Sequence, residues 1–172
     1  MSKKTIDNLK AAYAGESQAR NNYTFWAGVA RKEGWLEVAE YFEETAANEK
    51  EHAEQILKLL NGINGTEKNL QAAVENESFE YEDMYVEFEK VAREEGEEEA
   101  AELFKALQKV EKHHAERFAQ LLELLKQGKL LYKDQPVKWK CRECGYIYEG
   151  NEPPEECPLC KHPKKYYRPL VE

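Results

Sequence analysis

The sequence predicts an all-α four-helix bundle followed by a small β-rich module built around four cysteines. Three observations carry this reading: helical periodicity without a proline from about Thr5 to Gln127, an internal repeat within that stretch, and the confinement of every proline and cysteine to residues 136–172.

The long segment is rich in Glu, Ala, Leu and Lys. The string Val29-Ala30-Arg31-Lys32-Glu33-Gly34 recurs as Val91-Ala92-Arg93-Glu94-Glu95-Gly96, an offset of 62. The same offset carries Phe42 to Phe104, Glu49 to Glu111, His52 to His114 and Tyr23 to Tyr85. Gly34 and Gly96 each read as a helix C-cap that opens a tight turn. Two helical hairpins follow, about 4–33 with 35–60 and about 66–95 with 97–126, and two amphipathic hairpins make a bundle. Composition changes near residues 127–136, so the expected domains are 1–135 for the bundle and 136–172 for the cysteine module.

The chain carries 34 acidic against 25 basic residues, a formal net charge of −9. An acidic surface without a basic stripe excludes nucleic acid and anionic membranes as partners. The longest apolar runs are a few residues, too short to span a bilayer. The N-terminal MSKKTIDNLKAAYAG is amphipathic and lacks the hydrophobic region of an export signal, so a cytoplasmic location is expected.

Most glutamates in such a chain are solvated; the informative ones lie on apolar stripes. In the second helix Val38, Phe42, Ala46, Ala53 and Ile56 form the stripe, and Glu49 and His52 fall on it. In the fourth, Glu111 and His114 sit among Ala100, Phe104, Leu107, Ala115 and Phe118. Glu16 occupies the stripe of the first helix, and Glu77 and Glu80 both lie along that of the third. Ionised carboxylates facing one another in a core repel, and each is costly to bury unless paired or metal-bound. The i, i+3 spacing of Glu-x-x-His places both ligand atoms on one face, a known arrangement in helix bundles that hold two metals. Imidazole with several carboxylates suits Fe, Mn or Zn. The strict offset sends Glu16 to Ser78, so the repeat accounts for both Glu-x-x-His pairs and fails for the remaining carboxylate.

Cys141-x-x-Cys144 and Cys157-x-x-Cys160 are two thiolate knuckles that together make a tetrahedral site for zinc or a single iron. A cytosolic context favours metal over disulfides. Trp139, Tyr146, Tyr148 and Pro158 flank the knuckles and are expected to exclude water, which suits a redox iron.

The strings AGESQARNNY (14–23), NEKEHAE (48–54), EYEDMY (80–85), VEKHHAERF (110–118) and WKCRECGYIYEG…CPLCKHPK (139–164) resemble the rubrerythrin family over nearly the whole chain. The resemblance implies a ferritin-like di-iron bundle fused to a rubredoxin-like iron domain. It implies Glu16, Glu49, Glu80, Asp83, Glu111 and His114 as bundle ligands, with His52 as an alternating ligand and Asp83 where the family pattern usually has Glu. Cys141, Cys144, Cys157 and Cys160 would hold the single iron, in a module shorter than other rubredoxins and with Lys161 in place of their glycine. The implied activity is a non-haem peroxidase acting on hydrogen peroxide in oxidative-stress defence. Its electrons would come from a rubredoxin or an NAD(P)H-dependent reductase. Tyr23 and Tyr85 would either hydrogen-bond site carboxylates or serve as core tyrosines. Iron storage with ferroxidase activity, a zinc-bound structural protein and an oxidase acting on O2 remain competing readings; iron count, colour and relative reoxidation rates separate them.

Connectivity adds one expectation. A helix over 35–60 is about 39 Å long, whereas the Asn61–Gly65 link spans at most about 18 Å. A ferritin-like bundle needs a crossover along its length. Either residues 66–77 leave the helix to form it, or a homodimer exchanges hairpins, each bundle combining the first of one chain with the second of another.

Overall fold

A computed structural model of the chain describes residues 1–170. The elements run α1 (Lys3–Glu33), α2 (Leu36–Leu59), α3 (Thr66–Phe79), a π-helical segment (Glu80–Met84), α4 (Tyr85–Glu95), α5 (Glu98–Lys126), β1 (Val137–Cys141), β2 (Ile147–Gly150), a 3₁₀ turn (Lys164–Tyr166) and β3 (Tyr167–Pro169). The chain divides into two compact units, Met1–Gly65 and Thr66–Glu172.

The first unit is the α1–α2 hairpin. Ser2 caps α1, its hydroxyl accepting from the Thr5 amide at 3.2 Å. Gly34 ends the helix at φ 89°, a left-handed conformation that costs glycine little, and its amide reaches back to the last carbonyls of α1. The seam between the helices is closed by small residues: Ala27, Ala30, Ala39, Ala46 and Ala53 are all buried. Beside it Tyr23, Trp26 and Phe42 form an aromatic triad with ring centroids 5.6–6.0 Å apart. One side of Trp26 stays open, with 48 % of its surface accessible.

In the second unit α3, the π segment and α4 form one continuous rod packed against α5. Gly96 repeats the Gly34 cap at φ 79°. Buried Ala92, Ala101 and Ala115 are the 62-residue counterparts of Ala30, Ala39 and Ala53. Tyr85, Phe88 and Phe104 rebuild the aromatic triad at 5.6–6.2 Å. Both halves of the predicted repeat are therefore built alike, down to the residues that set the helix spacing. Because α3 is helical from Thr66, residues 66–77 do not form the crossover that connectivity allowed.

After α5, Gly128 at φ 67° turns the chain toward the cysteine module. Its three strands form an antiparallel sheet of order β2-β1-β3. Trp139, Cys141, Cys157 and Tyr167 make the core. The Trp139 indole donates to the Gly150 carbonyl at 2.8 Å, which removes the cost of burying its N–H. Of the four residues expected to shield the knuckles, only Trp139 is buried; Tyr146, Tyr148 and Pro158 are exposed. Tyr167, with Leu131 and Val137 packed against the same core, supplies the remaining apolar wall instead.

Candidate metal centres

The first hairpin gathers Glu16 of α1 with Glu49 and His52 of α2. One ligand atom from each lies within 4.8 Å of the others. His52 Nδ1 is 2.8 Å from a Glu49 carboxylate oxygen and 3.7 Å from one of Glu16. The i, i+3 spacing brings the first two together, and antiparallel packing on the alanine seam supplies the third. Glu16 and Glu49 stand close enough for each carboxyl to shift the other. Glu16 is held above the usual carboxylate range, chiefly by Glu49, and Glu49 below it, by Glu16 and His52. The Glu49 hydrogen bond, against some desolvation, raises the His52 imidazole above its ordinary value. Two adjoining carboxyls of opposite shift beside an imidazole form a set that a divalent cation can enter by displacing protons.

The second hairpin contains an equivalent cluster of Glu77, Glu111 and His114, again within 4.8 Å. His114 Nδ1 lies 2.7 Å from Glu111 and 3.3 Å from Glu77. Glu80 is close by: desolvation first, then repulsion from Glu77 and Glu111, pushes its carboxyl above the usual range. Asp83, expected as a ligand beside Glu80, is exposed and joins none of these clusters. Glu77 is the third-helix carboxylate that meets Glu111 and His114.

The π segment explains both the displacement and the failure of the repeat. Glu16 and Tyr23 are seven residues apart, about 20° short of two full α-helical turns, so they share a face. Glu77 and Tyr85 are eight apart, and a regular α-helix would separate them by about 80°. The wider π turn at Glu80–Met84 absorbs one extra residue and restores the shared face. A signal for this was present in the sequence. Upstream of the segment the repeat runs at 61, not 62, matching Thr5, Asn8, Leu9, Ala11, Ala12, Glu16 and Ser17 with Thr66, Asn69, Leu70, Ala72, Ala73, Glu77 and Ser78. One inserted residue among 79–84 changes the offset and adds Glu80, whose counterpart at 61 is Ala19.

The third cluster is Cys141, Cys144, Cys157 and Cys160, all four sulfurs within 4.8 Å. Cross-knuckle pairs stand at 3.7 Å (Cys141–Cys160) and 3.6 Å (Cys144–Cys157), with no disulfide. The knuckles repeat one backbone pattern. Gly145 N–H donates to Cys141 O and Lys161 N–H to Cys157 O, both at 3.0 Å. The residue after each second cysteine is left-handed, Gly145 at φ 79° and Lys161 at φ 62°. Burial acts to raise the Cys157 thiol, but the Tyr167 hydroxyl and the Cys160 and Leu159 amides outweigh it and bring the thiol to about 6. Four convergent sulfurs with hydrogen-bond donors aimed at them fit a tetrahedral thiolate metal.

The family model described as Rubrerythrin matches residues 7–122, and that described as Rubrerythrin, rubredoxin-like domain matches residues 139–168. Similar proteins include a rubrerythrin-1 of Clostridium acetobutylicum, 42 % identical over 98 % of this chain and 95 % of its own length. A putative rubrerythrin of Methanocaldococcus jannaschii is 41 % identical over 99 % and 94 %. A rubrerythrin of Nitratidesulfovibrio vulgaris is 40 % identical over 97 % and 94 %. With carboxylate–imidazole clusters in both hairpins and a four-cysteine knuckle pair behind them, the chain belongs to the rubrerythrin family, which combines a ferritin-like di-iron site with a rubredoxin-like four-cysteine iron site.

Proposed function

We propose that the chain is a non-haem peroxidase that reduces hydrogen peroxide, H2O2 + 2e− + 2H+ → 2 H2O, with electrons entering through the four-cysteine site. The observation that carries this reading is the union in one chain of carboxylate–imidazole clusters with a four-thiolate centre. Such a centre delivers single electrons, for which a storage protein has no need. When bound, the two irons supply Lewis acidity and the two electrons of each turnover.

We assign Glu16, Glu49, His52, Glu77, Glu80, Glu111 and His114 to hold that pair, and leave out exposed Asp83. The chain's own groups also handle protons. Glu16 and Glu80, both held above the usual carboxylate range, are the carboxyls beside the clusters that take up a proton more readily. Burial, then the charges of Glu80, Glu111 and Glu77, raises the Tyr85 phenol, which keeps it a neutral hydrogen-bond donor at the second cluster. The donor to the cysteine site would be a small redox protein or a nicotinamide-dependent reductase.

The working unit in this reading is a hairpin-exchanged homodimer. The Asn61–Gly65 link reaches at most about 18 Å, and α3 starts immediately after it. Partly open apolar side chains at comparable positions of both hairpins, such as Trp26 and Phe88, offer the surface for such pairing. Among the described residues no helix is long and apolar enough to cross a membrane, and we place the protein in the cytoplasm.

The test is anaerobic titration of the reduced, iron-loaded protein with H2O2, following both iron centres by absorption, with O2 as the comparison. Faster oxidation by H2O2, at one peroxide per two electrons, supports the proposal; preferential oxidation by O2 overturns it. A monomer with full metal content in sedimentation rules out the exchanged dimer.

A further inference from the structure

Tyr167 lies on β3 directly across from Cys141 on β1. It is 1 % exposed, and its hydroxyl is a buried polar atom with no hydrogen-bond partner. Burying a hydroxyl in an apolar core without a partner is unfavourable, and a phenyl ring would fill the same space without that penalty. Tyr167 packs in one core cluster with Cys141 and Cys157, and its hydroxyl and the Cys157 thiol act on each other, the thiol held down and the phenol held up. The other donors aimed at the sulfurs are peptide N–H groups: Leu159 and Cys160 toward Cys157, Tyr146 toward Cys144 and His162 toward Cys160. Cys157 thus shares its buried core with an otherwise unpartnered side-chain O–H, and Trp139 packs in the same cluster.

We propose that Tyr167 is a positioning residue for electron transfer, its hydroxyl donating a hydrogen bond to the Cys157 thiolate and raising the reduction potential of iron held by the four cysteines. The proposal rests on the iron reading of that site. Adding an electron increases the negative charge carried by the sulfurs, so a fixed donor stabilises the reduced state more than the oxidised one. Burial strengthens the effect because no water competes for the sulfur. A higher potential makes the centre easier to reduce, and so makes it a better acceptor for an external donor.

The experiment uses the full-length iron-loaded protein and its Tyr167→Phe variant, with Tyr148→Phe as an exposed control. Equilibrium redox titration is expected to show Tyr167→Phe about tenfold harder to reduce, a fall of about 59 mV for a one-electron couple, and Tyr148→Phe unchanged. The sulfur-to-iron charge-transfer absorption of the oxidised variant should move to longer wavelength, because a sulfur without the donor gives up its electron more readily. Independently of any variant, the wild-type chain loaded with cadmium-113 should show a hydroxyl proton from Tyr167 with scalar coupling to the metal through sulfur. Potential loss together with that coupling supports the proposal; an unchanged potential in Tyr167→Phe, or absence of the coupling, overturns it. No peroxide enters these measurements, so failure of the peroxidase reading leaves them interpretable, and a module that takes only zinc would undo that reading while the cadmium arm still tests the hydrogen bond.

Discussion

Removing the metal from the four-cysteine module should unfold residues 137–170 and leave the helices intact. Two of the four core residues of that module, Cys141 and Cys157, are themselves candidate ligands. Without a cation the remaining core is essentially Trp139 and Tyr167, carried on three strands of three to five residues. Modules below about 40 residues rarely fold without disulfides or a metal. A thiolate site binding a structural metal contributes about 10–16 kcal/mol, whereas a whole domain has about 5–15 kcal/mol of net stability. Metal loss therefore exceeds anything the strands can offset. Hydrogen exchange by mass spectrometry, on full-length protein before and after acid demetallation under reducing conditions, reads the outcome. The amides of β1 and β2 and the tie from Lys133 N–H to Asn151 O (2.7 Å) should lose protection, while α1, α2 and α5 keep theirs. Retained protection in β1 would show that the sheet stands without its metal, and the reasoning above would be refuted.

Other outcomes follow from the two helical clusters and the knuckles. Glu77→Gln should weaken metal binding at the second cluster by at least about tenfold, while Asp83→Asn leaves it within about twofold of wild type; calorimetric metal titration of both variants checks this. Metal affinity at the first cluster should rise with pH, by up to about tenfold per unit for each proton displaced. The sign comes from Glu16 and His52, both held above their ordinary values in the metal-free chain. In that state the stability from His52 is fully present below its unfolded value of about 6.5 and lost as pH rises through the higher folded value. Metal titrations between about pH 5.5 and 7.5 test it, and a flat profile contradicts it. Lys161→Gly should stabilise the module by about 0.5–1 kcal/mol. Relief of a left-handed lysine, about 1–2 kcal/mol, exceeds the added freedom of glycine in the unfolded chain, about 0.4–1 kcal/mol. Thermal unfolding of the metal-loaded protein measures it.

The helices were legible because their periodicity, glycine caps and lack of proline all point the same way. Predicted bounds of about 4–33, 35–60, 66–95 and 97–126 differ from the observed ends by a residue at most. Glu49, His52, Glu111 and His114 are legible because each lies on a stripe at a repeated phase, and Glu16 because it lies on the apolar stripe of its own helix. Asp83 entered only through the family resemblance, and a constant offset of 62, which pairs Glu16 with Ser78, does not single out Glu77, the carboxylate grouped with Glu111 and His114. A π turn has no composition of its own; it shows in sequence only as a change of register between copies. The buried wall of the cysteine site was missed for a different reason. Tyr146 and Tyr148 are adjacent to the knuckles in sequence, but Tyr167 reaches them through β3 pairing, a contact that spacing along the chain does not reveal.

The insertion also makes the two hairpins chemically unequal. The first presents Glu16, Glu49 and His52, two carboxylates and an imidazole. The second presents Glu77, Glu111 and His114, and the extra residue of the π segment adds Glu80, where α1 has Ala19. A cation at the second cluster therefore has one more carboxyl group beside it than a cation at the first. Carboxylates favour the more highly charged oxidation state of a metal, and neutral imidazole favours the lower. Duplication of one hairpin would give two equivalent positions with the same affinity and potential. A single inserted residue makes them different while leaving the alanine seam, the aromatic triad and the Glu-x-x-His spacing untouched, because the π turn confines its effect to one face of one helix.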